Sequence, residues 1–210
     1  RRQSTEQAVR STAVVLMGGR MCERTRATTT ARSGAGLLDR AIGFALTAVQ
    51  GVAPDMLGRR TPCASWDLAM LVLHLGESLA ALHEGLSGGR VGRSPGEPPD
   101  DPVSALRVGA VRVLRASAAL RTVGVGDRRL PGDLLTGAGA LEVAVHGWDI
   151  AQATGERRAV PPVLAGDLLA VAPLVLPEPR GPLFADPVDP APDAPPGERL
   201  VALLGRRPLR

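Results

Sequence analysis

Lysine and tyrosine are both missing from this sequence of 210 residues, and aromatics amount to Phe44, Trp66, Trp148 and Phe184. A core with so few rings has to be aliphatic, assembled from Ala, Leu and Val. Those residues include strong helix formers, and alternating β-branched runs are scarce, so the expected fold is mostly helical. Cysteine is limited to Cys22 and Cys63, which excludes a disulfide framework and fits a reducing cytoplasm. Long apolar runs are also lacking. The longest near the N-terminus, Ala13 to Met17, is too short for a secretory leader, and no stretch is long enough to span a membrane.

Without lysine, all positive charge is arginine, and it is unevenly placed. Residues 1–34 hold seven Arg against Glu6 and Glu23, a net of +5, while the remaining 18 Arg face 19 acidic residues, a net of −1. A nucleic-acid footprint belongs on the folded domain, and here the excess sits on the tail, so nucleic acid is not an expected partner. Residues 1–34 show no sustained periodicity. They read as disordered, or as an extension upstream of the true start with Met21 as an alternative. A transit peptide is the lesser reading.

Beyond residue 34 the apolar residues repeat at three and four. A first helix covers about Leu37 to Val52. A second runs from about Trp66 to Leu86, with Ser65 as N-cap, Asp67 in its first turn, and a stripe of Leu68, Leu71, Leu75, Leu79 and Leu82. A third covers about Val103 to Val123, with Leu106, Ala110, Val113, Leu114 and Ala118 on one face and Arg107, Arg112, Arg115 and Arg121 largely off it. GVGDRRLPG reads as a loop. A fourth helix runs from Asp133 to Thr154 and stops at Gly155. A shorter helix after Pro161–Pro162 reaches about Ala172, the Pro-rich stretch 173–197 reads as extended, and a last helix covers Glu198 to Leu204. The expected architecture is an all-α, up-down four-helix bundle over residues 35–172, with residues 173–210 as a wrapping tail that ends in one short helix.

The fourth helix contains LEVAVHGWDI. Its Glu142 and His146 are four apart and share a face, and Asp149 lies near the same face. An imidazole and a carboxylate so placed can converge on one cation. Of the remaining histidines, His74 sits mid-helix on the apolar stripe, whereas His83 lies near the helix end. His74, Glu142 and His146 thus form a set of two imidazoles and one carboxylate from two helices. Three protein ligands leave a position open, the catalytic arrangement of zinc, and the same set suits iron(II) or nickel. The same spacing also suits a satisfied core histidine and a helix-surface hydrogen bond.

TPCASWDLAMLVLHL (Thr61–Leu75) and LEVAVHGWDIAQATG (Leu141–Gly155) resemble the two signature segments of an actinobacterial metal-binding family. That family is related to the metal-binding domain of mycothiol-dependent maleylpyruvate isomerase, within the DinB-like superfamily. The likeness extends from about Leu37 to Arg206 and includes GPLFADPVDPAPDAPPGERLVALLGR at the C-terminal end. The resemblance implies a DinB-like bundle in which His74, Glu142 and His146 bind a divalent metal, most often zinc. It also implies mycothiol as cosubstrate. The isomerase has a larger C-terminal domain that contributes a basic residue to catalysis. Here a short Pro-rich tail stands in its place, so the isomerase activity itself does not carry over.

The neighbours of the set admit two readings each. Asp149 either holds a ligand histidine or caps a surface contact. Trp66 and Trp148 either wall the pocket or pack the bundle ends. Cys63 is either a fourth ligand or reactive thiol, or a small buried hydrophobe. The expected activity is transfer or isomerisation by a small thiol acting on an electrophilic substrate in the cytoplasm, with a homodimer compatible with the fold. A non-catalytic metal- or ligand-binding bundle and a metal-dependent hydrolase are the alternatives.

Overall fold

The structure, a computed structural model, describes residues 34–63, 66–92, 97–116, 122–176, 180 and 185–207. Ser65, Ala118, Arg121, Cys22, Phe184 and residues 1–33 of the N-terminal extension lie outside the described residues. Helix α1 spans Gly34–Gln50, α2 Leu68–Gly88, α3 Pro102–Arg115, α4 Gly132–Thr154, α5 Pro162–Val175 and α6 Pro196–Leu203. A single 3-10 turn at Pro54–Met56 interrupts the loop between α1 and α2.

The fold is mostly helical but not all-α. A three-stranded sheet is formed by β1 (Arg90–Val91), β2 (Thr122–Val125) and β3 (Arg128–Pro131). β1 and β2 are parallel, and β2 and β3 form an antiparallel hairpin in which Val123 faces Leu130. The segment GVGDRRLPG, expected as a loop, is therefore largely hairpin. Gly126, with φ of 59°, sits at the first central position of its two-residue turn, where a positive φ is required. The third helix ends at Arg115 rather than near Val123. Val123 and Val125 are buried while Thr122 is exposed, an alternation that belongs to a strand. Gly85 lets the sheet close on α2: a Cβ there would lie 2.9 Å from Val91 and 2.8 Å from Leu135. β3 ends at Pro131 and leads directly into α4, so the hairpin sets where α4 begins.

The four expected helices do pack on one another, but α5 joins them. α1 runs along α4, α2 packs on α3 and α4, and α5 lies on α4, α1 and α6. Leu164, Ala165, Leu168 and Ala172 carry α5 into the same core. The start of α2 also differs from expectation, because Asp67 is the N-cap and accepts from the Met70 amide at 2.9 Å.

α4 is the centre of this packing. From Leu135 to Ala153 every residue except Glu142 is buried. A helix buried around its circumference is apolar on all faces, which is why LEVAVHGWDI reads as core. Its closest neighbour is α1, where a Cβ on Gly147 would fall 2.8 Å from Ala45 Cα. That obstacle is backbone and cannot step aside. Gly147→Ala should therefore destabilise the protein by about 1–3 kcal/mol through overpacking, measured as a lower midpoint in chemical denaturation. An unchanged midpoint would show that α1 and α4 can separate freely.

Candidate metal centre

α2 and α4 bring His74, Glu142 and His146 together. One ligand atom from each lies within 4.8 Å of the others. His74 Nε2 is 2.6 Å from Glu142 Oε1, and His146 Nε2 is 3.4 Å from the same oxygen. The two imidazoles are buried and meet edge to face, with centroids 5.0 Å apart. The Glu142 side chain keeps 18% exposure, so the cluster has one side open toward solvent. Two imidazole nitrogens and a carboxylate, all presented to one point, suit a divalent cation with a position to spare.

Asp149 lies behind His146. It is fully buried, and its Oδ2 is 3.0 Å from His146 Nδ1. A carboxylate on the second nitrogen fixes the tautomer that leaves Nε2 facing the cluster, and Asp149 is too buried to cap a surface contact. Ser78 Oγ donates to Glu142 Oε1 at 3.4 Å from one turn beyond His74. Trp66 lies against both imidazoles, 4.5 Å from His74 and 5.8 Å from His146 between centroids. Trp148, by contrast, is part of the buried apolar core. His83 is half-exposed and outside the cluster.

Burial works against every charge in the cluster, and the partners decide which charges survive. Glu142 is held well below the usual carboxylate range, because His146 and then His74 outweigh its desolvation. His146 is pushed up to about 9, because Glu142 and Asp149 overcome burial. His74 is lowered by burial, which its contact with Glu142 only partly offsets. Cys63, half-buried in the loop before α2, has its thiol pushed up to about 11 by burial, despite the nearby Arg206 guanidinium. A thiol so held stays protonated and is a poor nucleophile, and Cys63 is not one of the three converging side chains.

A family described as the mycothiol maleylpyruvate isomerase N-terminal domain matches residues 38–151. The chain belongs to that family. Two uncharacterized proteins of Mycobacterium tuberculosis, from strains CDC 1551 / Oshkosh and ATCC 25618 / H37Rv, are each 34% identical over 170 residues, covering 74% of this chain and 87% of theirs. No solved structure matches. No helix among the described residues is long and apolar enough to cross a membrane.

Arg206 is the site residue that sequence reasoning missed. It follows α6, enters the protein from the C-terminal segment, and places Nη2 3.4 Å from Asp149 Oδ2. Its side chain is only 14% exposed, and its Nε and Asp149 Oδ1 are both buried without a hydrogen-bond partner among the described residues. The tail is thus more than a surface wrap. Nothing local marks Arg206 among the many arginines of the chain, since its partner lies 57 residues away.

The raised His146 has a consequence in the metal-free protein. Its folded pKa lies above the ordinary value of 6.5, so the imidazolium contributes stability that is fully present below pH 6.5. That contribution is lost as pH rises through about 9. With a chelator present, the denaturation midpoint should fall from pH 7 to about pH 9, and the fall should shrink in His146→Gln. Equal slopes in the two proteins would show that His146 is neutral throughout.

Proposed function

We propose that the protein binds a divalent metal, zinc foremost, through His74, Glu142 and His146. We further propose that it is a metal-dependent transferase or isomerase using a low-molecular-weight thiol of the mycothiol type. The observation that carries the reading is the convergence of three ligand atoms from two helices within 4.8 Å. The His146–Asp149 pair supports it, because a ligand histidine needs its second nitrogen held. Family membership supplies the thiol. When bound, such a cation supplies Lewis acidity that favours the thiolate of an incoming thiol.

The chain's own residues would do the rest. Glu142 stays ionised and offsets the cation's charge. Asp149 keeps His146 in the tautomer that presents Nε2. Arg206, from the C-terminal segment, sets a permanent positive charge beside Asp149. Cys63, held protonated by burial, leaves the nucleophile's role to the external thiol. In this reading the partners are that thiol and an electrophile, in the cytoplasm, and a homodimer is compatible with it.

Elemental analysis of the purified protein, paired with a titration of the small thiol, tests the proposal. About one ion per chain is expected for a three-ligand site, with loss of that ion in His74→Ala. Unchanged metal content in His74→Ala would overturn the ligand assignment. A bound metal with no thiol uptake would favour instead a non-catalytic metal-binding bundle, or hydrolysis by metal-activated water.

A further inference from the structure

The two imidazoles of the cluster are held in different ways. His146 gives Nε2 to the cluster and Nδ1 to Asp149. His74 gives Nε2 to Glu142, but its Nδ1 is buried with no hydrogen-bond partner among the described residues. A histidine that serves a metal ordinarily has its second nitrogen fixed by a carboxylate, a carbonyl or water. A single hydrogen bond at Nε2 fixes one atom and leaves the ring plane free to pivot about it.

Two rings pack against that plane: the indole of Trp66 meets it at 4.5 Å between centroids with 49° between planes, and the His146 imidazole meets it edge-on at 5.0 Å. The indole is itself held by a closed loop. The Trp66 amide donates to the Cys63 carbonyl at 2.9 Å, and the buried hydroxyl of Thr61 donates to the Trp66 carbonyl at 2.9 Å. The Cys63 amide donates back to that hydroxyl at 3.2 Å. Arg60 and Asp67 pair across the base of the loop, and the Leu68 amide donates to the Arg59 carbonyl at 2.9 Å. The loop thus delivers one aromatic face to the one ring of the cluster that lacks a second hydrogen bond.

We infer that Trp66 is the positioning residue of His74, doing by packing what Asp149 does by hydrogen bonding for His146. The inference rests on the proposed metal reading for its consequence, metal affinity. The ring's confinement belongs to the metal-free protein as well.

The test uses the full chain and two variants, Trp66→Leu and Trp66→Phe, with Co2+ as the probe. Affinity is read by competition with a chelator, geometry by the visible Co2+ absorption bands, and fold by melting of the metal-free protein. Loss of an orienting partner weakens metal binding by about 10–100-fold. The Leu variant should show that loss with altered bands, and the Phe variant a smaller one. Wild-type affinity and bands in Trp66→Leu overturn the inference while leaving the metal reading intact. If Trp66→Leu does not fold, Trp66→Phe decides. Weaker Co2+ binding without a matching drop in melting temperature supports the role, and undiminished binding overturns it. If the wild type takes up no Co2+, the metal reading fails, and the His74 ring then decides by NMR, where three histidines make assignment simple. Microsecond-to-millisecond exchange of that ring in the less disruptive folded variant, absent from wild type, supports confinement by Trp66. Its absence overturns it.

Discussion

A helix buried on all sides can carry an ionisable group only if the protein supplies the partner, and α4 carries three in one stretch. Glu142, His146 and Asp149 lie within two turns, on a helix otherwise packed by α1, α2 and α5. An unpaired buried charge costs several kcal/mol, roughly the whole stability of a small domain. The surrounding elements are therefore constrained by these three side chains. α2 must bring His74 to Glu142, and the C-terminal segment must bring Arg206 to Asp149. The polar chain running from His74 through Glu142, His146 and Asp149 to Arg206 ties together parts of the protein that apolar packing alone would leave free to slide.

That chain also explains the placement of small residues. Gly147 sits next to His146, where α1 comes closest to α4. With no side chain there, α1 packs tightly beside the cluster. Gly139, about two turns earlier, faces the Leu82 side chain of α2. The glycines bring helices close exactly where the site needs apolar walls, and the opening is left on the side of Glu142, the least buried residue of this part of α4.

The helices were legible in the sequence because they are local in origin, and the triad because its Glu142–His146 half is local and the segment carrying His74 resembles a family signature. Glu142 and His146 are one turn apart, and His74 differs from His83 by its place on an apolar stripe, a pattern that survives folding unchanged. The sheet was not legible. Its strands are two to four residues long, and β1 finds its parallel partner across the whole of α3. Short strands exposed on one side, such as RRLP, carry no alternation long enough to separate from a loop. The cap of α2 shows a subtler limit. Ser65 and Asp67 are both good caps by type, and the choice of Asp67 follows from the pairing of Arg60 with Asp67, which no local rule encodes. Arg206 was illegible for the same reason as β1, because its meaning lies in a distant contact.

The boundary of the family match sharpens what Arg206 means. Residues 38–151 include His74, Glu142, His146, Asp149, Trp66 and Cys63, so the converging set and its immediate supports belong to the shared unit. The charge that faces Asp149 comes from chain beyond that unit, anchored by the Arg180 guanidinium on the Leu203 carbonyl and by the Val188 amide on the Ala202 carbonyl. A site assembled this way separates two tasks. The bundle fixes where a cation would be held, through rigid helices. The tail fixes the charge beside it, through a segment whose Leu200, Val201 and Leu204 join the same core. The converging set is therefore shared with the family, while the charge beside Asp149 comes from outside the matched residues.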